Sequence, residues 1–270
     1  YDMKAQSREL TMMFCDVQNF THIAENMEPL QAQDLLNRLF NRMTAIVAAN
    51  HGTIDKYIGD CLMVFWGAPA AVPDHAPLAV KTAGEITLML DDFNLEQAAL
   101  GLPAIQLSIG INTGVVSVGD MGSAMRRSYT VLGDAVNLSA RLEPLAKSYG
   151  VLAAVGERTV ALADQFHWQW VDTIRVAGKQ KAVDVYTPLN APCATREQPL
   201  SVAQEHELLL WQKFCTAYRA RNWSEGLRLL GSLQIMQPDK KLYAIYQQRL
   251  LAFCSEPPPD NWDGAVDAAK

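Results

Sequence analysis

The chain has 270 residues, of which 49% are hydrophobic and 19% charged, and its formal net charge is −6. This balance is typical of a soluble globular protein, and the length suits one large domain with or without an appendage. The acidic charge argues against a protein that binds nucleic acid through a basic surface. No apolar run reaches the roughly 18–20 residues that cross a bilayer, and no signal peptide opens the chain. We therefore expect a cytoplasmic domain, with any membrane anchor upstream of Tyr1.

The cysteines are odd in number, scattered, and never spaced as a C-x-x-C pair. This pattern favours a reduced environment over a disulfide framework or a zinc site, so that any metal would be held by oxygen. The five positions are Cys15, Cys61, Cys193, Cys215 and Cys254.

Short strand-like runs alternate with helical patterns in the first 120 residues. The glycine-containing pairs Gly59-Asp60 and Thr113-Gly114 each lie between apolar runs and indicate two-residue hairpins. The order of elements is β-α-β-β-α-β, which predicts a ferredoxin-like sheet with helices on one face. The predicted strands are 10–15, 52–58, 61–66, 107–112 and 115–119, and the predicted helices are 30–40 and 76–99.

The remainder begins with a helix from Asp134, a plausible N-cap, to about Tyr149. After three further predicted strands, prolines mark a linker. We therefore expect a domain over 1–192 and a helical extension over 193–270 with a proline-rich tail. One tetratricopeptide-like unit and an ordinary packed helix pair explain this extension equally well. The predicted strands are 151–155, 168–176 and 183–186, and the predicted helices are 205–221, 224–234 and 240–253.

Two aspartates stand where a buried strand ends or turns. Asp16 follows the first strand, and Asp60 lies in the first hairpin turn. Two carboxylates on neighbouring strands would hold a hard cation such as Mg²⁺, and the turn after the first strand would offer backbone N–H groups to phosphate. The plainer alternative is a helix cap at Asp16 and an ordinary turn residue at Asp60.

A second polar pair, Asn137 and Arg141, is four residues apart in the helix that starts near Asp134, and therefore shares one helix face. An amide and a guanidinium that project together would orient a ribose and neutralise charge on a phosphoryl group. The alternative is a solvated polar face.

Taken together, the run from Phe14 to Thr21, the hairpin from Lys56 to Asp60 and the helix with Asn137 and Arg141 resemble the class III nucleotidyl cyclases over about residues 8–190. The resemblance implies an α+β fold, a ferredoxin-like cyclase core with extra strands followed by a small helical segment. It also implies conversion of ATP to 3′,5′-cyclic AMP and pyrophosphate, for signal transduction.

The resemblance assigns roles to individual residues. Two Mg²⁺ or Mn²⁺ ions in each active site would be held by Asp16, Asp60 and Val17. The ribose would be positioned by Asn137, and the transition-state charge would be stabilised by Arg141. The substrate-binding residues would be Phe20, Thr21, Lys56, Thr130 and Lys179.

The choice of base follows from the same resemblance. Lys56 and Thr130 stand where the family reads adenine, whereas guanylate cyclases typically have Glu and Cys there, so ATP is the expected substrate. Bacterial members with this threonine are often stimulated by bicarbonate. Because the family builds each site from two subunits and this chain has both residue sets, we expect a homodimer with shared sites.

Two positions depart from the family pattern. Asn19 replaces a usual glycine, but asparagine tolerates left-handed backbone angles, so we expect the turn to survive. Ala177 replaces the lysine that contacts the terminal phosphates, and Lys179, Lys181 or Arg175 would have to substitute for it.

Three alternatives remain at this point. A guanylate cyclase is disfavoured by Lys56 and Thr130, and a catalytically silent dimerisation module is disfavoured by the complete metal and transition-state set. A diguanylate cyclase would have a G-G-[DE]-E-F hairpin, which this chain lacks.

Overall fold

The computed structural model describes residues 4–123, 125–175, 182–189 and 200–267. The predicted phosphate contacts around Ala177 and Lys179 and the predicted domain boundary at 192/193 lie outside these ranges. No helix in the described ranges is both long enough and apolar enough to span a bilayer.

The described part of the chain forms a nine-stranded sheet and eight helices. The strands are β1 (Gln6–Val17), β2 (Thr53–Ile58), β3 (Cys61–Trp66), β4 (Leu107–Ser123), β5 (Arg126–Leu132), β6 (Ala154–Gly156), β7 (Trp168–Arg175), β8 (Ala182–Pro188) and β9 (Val266–Asp267). The helices are α1 (Phe20–Glu25), α2 (Pro29–Ala49), α3 (His75–Ala99), α4 (Asp134–Tyr149), α5 (Glu157–Leu162), α6 (Val202–Arg219), α7 (Trp223–Met236) and α8 (Lys241–Ser255).

Four strands at one end of the sheet have the predicted ferredoxin-like topology. Strands β2, β3, β1 and β4 are neighbours in that order, and each adjacent pair is antiparallel. Helices α2 and α3 cover one face of this sheet, where alternate strand residues such as Met13, Val64 and Ile111 are fully buried. The period-2 alternation of each strand therefore supplies one half of the core, and the helical stripes supply the other.

The second predicted hairpin is wrong, because β4 runs without a turn from Leu107 to Ser123. Thr113 is paired with Thr11 of β1, and its hydroxyl is hydrogen-bonded to the hydroxyls of Thr11 and Thr159. A Cβ on Gly114 would lie 2.6 Å from the Cβ of Ala135. The glycine therefore permits the close approach of a helix and does not form a turn.

Helix α4 covers the opposite face of the sheet, which corrects the expectation of helices on one face only. A Cβ on Gly110 would lie 2.3 Å from the backbone nitrogen of Glu143, so the helix backbone rests directly on β4. The Ser139 hydroxyl donates to the carbonyl oxygens of Met12 and Gly110. The helix runs from Asp134 to Tyr149 as predicted, but Gly133, not Asp134, is its N-cap.

The C-terminal helices α6–α8 pack against β7 and against helix α4. The indole N–H of Trp211 donates to the carbonyl of Trp170 at 2.8 Å, and the hydroxyl of Tyr246 donates to the carbonyl of Val171 at 2.8 Å. Aromatic side chains from β7 and α6–α8 share one buried cluster with residues of α4. These helices are therefore part of a core that they share with the sheet.

A buried ion pair lies within this interface. The Asp172 side chain on β7 is fully buried, and the Arg249 guanidinium on α8 donates to its Oδ2 at 2.8 Å. The Tyr149 hydroxyl of α4 also donates to Oδ2 of Asp172. One carboxylate thus joins the sheet, α4 and the last helix.

We predict that Arg249→Met destabilises the protein by about 3–5 kcal/mol, because it leaves the Asp172 carboxylate buried without its cation. Urea unfolding followed by circular dichroism measures this loss. The matched control is Arg228→Met, since Arg228 pairs with Glu225 on the exposed surface of α7 and such pairs contribute little. Equal stability of the two variants would contradict this prediction.

Candidate active site

The two predicted metal aspartates are brought together by β1 and the β2–β3 turn. Asp16 lies opposite Cys61 in the β1–β3 register, and Asp60 directly precedes Cys61 in the turn. Gly59 takes a φ of 63°, which confirms the predicted hairpin at this position. The charge of Asp60 raises the pKa of Asp16, so the two carboxyl groups lie close to each other. The strand pairing thus brings these two positions together, while their role in holding metal stays a prediction.

The environment of these carboxyls favours protons or cations. Burial and the neighbouring charge of Asp60 raise the pKa of Asp16 from 3.8 to about 6. Burial, Asp16 and Asp60 also raise the pKa of Glu143 from 4.5 to about 7. Like charges in a partly desolvated site repel each other, so the site binds either protons or an external positive charge.

Glu143 and Lys147 of α4 are the residues that sequence reasoning missed here. They lie six and ten positions after Asn137, so their spacing placed them on the same helix but gave no sign that they reach the end of β1. The Lys147 ammonium lowers the pKa of both Asp16 and Glu143. It also donates to the Asn19 side-chain oxygen at 2.6 Å.

The turn after β1 keeps its shape despite the departure at Asn19. This residue has a φ of 57° and precedes the first turn of α1, as predicted for asparagine in a left-handed conformation. Phe20 and Thr21 open that helix, and Val17 is the buried last residue of β1. These three predicted site residues therefore lie within five positions of Asp16, at the end of β1 and the start of α1.

The predicted transition-state pair, Asn137 and Arg141, lies on the outer side of α4. Asn137 and Arg141 are both exposed, whereas Val136, Ser139 and Leu142 face the sheet. The close seating of α4 on Gly110 fixes the outward direction of this face. The predicted common face of Asn137 and Arg141 is thus present.

The two predicted base-reading residues, Lys56 and Thr130, both contact the carboxylate of Asp55. The Thr130 hydroxyl on β5 donates to Oδ2 of Asp55 at 2.6 Å, and the Lys56 ammonium lies 3.2 Å from Oδ1 of Asp55. The Asp55 side chain is only 1% exposed, whereas that of Lys56 is 48% exposed. Sequence reasoning missed Asp55, since it reads as an ordinary residue of a hairpin strand.

Arg175, one suggested substitute for the lysine that contacts the terminal phosphates in the family, forms ion pairs within this chain. Arg175 at the end of β7 forms ion pairs with Asp263 and Asp267 beside β9. Lys179 and Lys181 lie outside the described residues.

The carboxylate oxygens of Asp16 and Asp60, called the acid pair below, are suitable ligands for a divalent cation. The described residues contain no group of three or more His, Cys, Asp or Glu side chains that would enclose a metal by themselves. Mg²⁺ and its analogues bind through one or two carboxylates together with substrate phosphates and water. Asp16 and Asp60 supply such an incomplete set of oxygen ligands.

A cavity of about 370 Å³ lies elsewhere, between the sheet and the C-terminal helices. Its lining includes Glu207 and Lys240, which pair with each other at 2.8 Å. The Tyr243 hydroxyl donates to the same Glu207 oxygen. These charges are satisfied internally and stabilise the interface, and none of the lining residues is a predicted site residue.

Comparison with known proteins adds independent findings. Residues 3–187 match the family model of the adenylate and guanylate cyclase catalytic domain. The chain is 36% identical over 183 residues to adenylate cyclase 1 of Rhizobium meliloti, which covers 67% of this chain and 28% of that protein. The chain thus spans less than a third of that relative.

Solved structures agree with the fold. The adenylyl cyclase CyaB of P. aeruginosa has a TM-score of 0.65 and 31% identity, and covers 70% of this chain and 97% of its own. The guanylyl cyclase Cya2 has a TM-score of 0.64 and 32% identity, covering 72% and 98%. Since both base specificities occur at similar likeness, the fold does not decide the substrate. The paired aspartates, the outward Asn–Arg face and these matches together show that the chain belongs to the adenylate and guanylate cyclase catalytic domain family.

Proposed function

We propose that this chain is an adenylate cyclase domain that converts ATP to 3′,5′-cyclic AMP and pyrophosphate. The observation that carries the proposal is the approach of Asp16 and Asp60 at the end of β1, where Asp16 pairs with Cys61, the residue that follows Asp60. Two carboxyl groups brought together in a partly buried place, where the pKa of Asp16 is raised, are costly for folding and typical of a functional site. The relatives named adenylate cyclase support the same activity.

In the proposed reaction the ribose 3′-hydroxyl attacks the α-phosphorus, and pyrophosphate leaves. A pair of divalent cations, Mg²⁺ or Mn²⁺, would supply the positive charge that activates the hydroxyl and neutralises the triphosphate. Asp16, Asp60 and the Val17 carbonyl would hold these cations. The N–H groups of Phe20 and Thr21 would face phosphate oxygens, as strand-to-helix turns commonly do.

The outward face of α4 completes the chemistry. Asn137 would orient the ribose, and Arg141 would stabilise the negative charge that grows around the α-phosphate. Such positioning and charge stabilisation account for most of catalysis in phosphoryl chemistry. Lys179 is proposed to contact the terminal phosphates on the strength of the sequence alone.

Adenine would be read by Lys56 and Thr130. The Lys56 ammonium donates and therefore suits N1 of adenine, and the Thr130 oxygen accepts from the 6-amino group. The structure places both on one carboxylate, which supports a common role.

A homodimer is proposed because the site residues fall into two groups on this chain, the acid pair and the base pair with the α4 face. Exposed apolar side chains near the base-reading residues support a surface that a second copy covers. They are Ile58 (53% exposed), Val115 (65%) and Leu132 (66%).

Two further candidates are weaker. The guanylate cyclase alternative is supported by the similarity to Cya2 but lacks an acidic residue at position 56. Stimulation by bicarbonate remains a prediction from the family resemblance alone.

The first prediction concerns the product. With Mg²⁺ or Mn²⁺ the purified chain is expected to form cyclic AMP from ATP, and Asp16→Asn and Asp60→Asn are each expected to lower kcat at least about 100-fold. Chromatography of the nucleotides measures both. A folded, dimeric protein that cyclises neither ATP nor GTP would instead favour the silent regulatory module.

The second prediction concerns pH in the absence of metal. Because the folded pKa of Asp16 (about 6) exceeds its ordinary value of 3.8, the folded state binds the proton more tightly. Stability is therefore unaffected below both values, falls as the pH rises between them, and stays lowered above. Glu143 extends the fall to about pH 7.

Asp16→Asn is accordingly expected to raise Tm relative to the unmutated chain by about 2–4 °C at pH 8 after solvent screening, and by less at pH 5. Scanning calorimetry in EDTA measures the difference. The control is Asp34→Asn, which changes an exposed carboxylate of α2. The same pH dependence in the unmutated chain and Asp16→Asn would contradict the expectation.

The third prediction tests the shared site. Asp16→Asn and Arg141→Ala are each expected to be nearly inactive, but their equimolar mixture is expected to recover about a quarter of the original activity. Half of the dimers would then be mixed, and each mixed dimer would have one intact site. No recovery after subunit exchange, shown by native mass spectrometry, would indicate that each subunit carries a complete site.

A further inference from the structure

Asp55 is a buried carboxylate that is not among the proposed metal ligands. It lies in β2 where the register with β3 shifts, since Ile54 pairs with Val64 and Lys56 pairs with Met63. Asp55 is the extra residue of this bulge. In a regular strand neighbouring side chains point to opposite faces, whereas a bulge re-aims one of them. The bulge explains why Asp55 can contact Lys56 beside it.

The hydrogen-bond chemistry at Asp55 has one solution. A carboxylate only accepts, so the Thr130 hydroxyl must donate its proton to Oδ2 at 2.6 Å. The other oxygen, Oδ1, has no hydrogen-bond partner among the described residues and is compensated by the Lys56 ammonium at 3.2 Å. The Thr130 oxygen is left with lone pairs alone for any ligand.

We propose that Asp55 is a positioning residue that sets base specificity, by fixing Thr130 as a hydrogen-bond acceptor and Lys56 as a donor. This inference rests on the proposed nucleotide site. Adenine presents a donor at its 6-amino group and an acceptor at N1, which matches the fixed pair. Guanine presents an acceptor at O6 and a donor at N1, so both contacts are mismatched.

The diagnostic variant is Asp55→Asn, which conserves size. The ammonium of Lys56 only donates, so the amide oxygen of the asparagine must face Lys56 and its NH₂ group must face Thr130. The Thr130 oxygen then accepts from that NH₂ group, and its proton turns towards the base. We expect the ratio of kcat/KM for ATP to that for GTP to fall about tenfold, mostly through KM for ATP.

A double-mutant cycle with Thr130→Val separates this role from a structural one. Without the hydroxyl, Asp55→Asn is expected to leave the ATP/GTP ratio unchanged within about twofold. Thr130→Ser retains the hydroxyl and is expected to retain the preference. A merely structural Asp55 would lower the use of both nucleotides equally and in either background, which would overturn the proposal.

Nucleotide binding can test the role of Asp55 even if the domain has no catalytic activity. Calorimetric titration with 3′-deoxy-ATP and 3′-deoxy-GTP in Mg²⁺ gives the same ratio without turnover. If the unmutated chain binds these nucleotides but forms no cyclic product, the proposed reaction fails and the shift in binding ratio still decides the role of Asp55. An unshifted ratio in folded Asp55→Asn, or no binding of either nucleotide by the unmutated chain, overturns the inference.

Discussion

The seating of α4 on β4 is the constraint on which the rest of the site depends. The helix backbone meets the sheet at Gly110, where any side chain would collide with the helix at Glu143. Contact this close fixes both the height and the rotation of the helix. The same rotation turns Asn137 and Arg141 outward and brings Glu143 and Lys147 towards Asp16. One glycine therefore coordinates the proposed transition-state residues with the acid pair.

Asp16 and Asp60 form a partly buried group of acidic side chains whose repulsion a proton or a cation would relieve. Burial and Asp60 raise the pKa of Asp16, and burial, Asp16 and Asp60 raise the pKa of Glu143, in the direction opposite to the effect of Lys147. Without metal, the carboxyl groups are neutralised by bound protons, and the chain loses stability as these protons dissociate at higher pH. A bound cation would neutralise the carboxylates and relieve their repulsion. Stability and ligand binding are thus expected to be coupled at this strand end.

Asp55 and Asp172 show two other uses of a buried carboxylate. Asp172 is neutralised by Arg249 and joins the sheet to α4 and α8, which ties the C-terminal helices to the fold. Asp55 lies between a half-exposed lysine and a threonine, and in the proposed site its pairing would leave their remaining hydrogen-bonding groups for a ligand. Full internal pairing of Asp172 serves stability, whereas the accessible partners of Asp55 fit the proposed role in recognition.

The sequence alone determined the period-2 strands and amphipathic helices of the core, the Gly59-Asp60 hairpin, and the common helix face of Asn137 and Arg141, because these depend on spacing within short segments. The roles expected of Asp16, Asp60, Asn137 and Arg141 came from the family resemblance and stay predictions. Sequence reasoning failed at Thr113-Gly114, because a glycine that admits a helix and a glycine that forms a turn look alike in one dimension. The electrostatic effects that link Glu143 and Lys147 with Asp16 and the position of Asp55 between Lys56 and Thr130 were decided only by tertiary structure. The hydrogen bond from Lys147 to Asn19 joins segments 128 positions apart, and a bulge, not a motif, directs Asp55 to its partners.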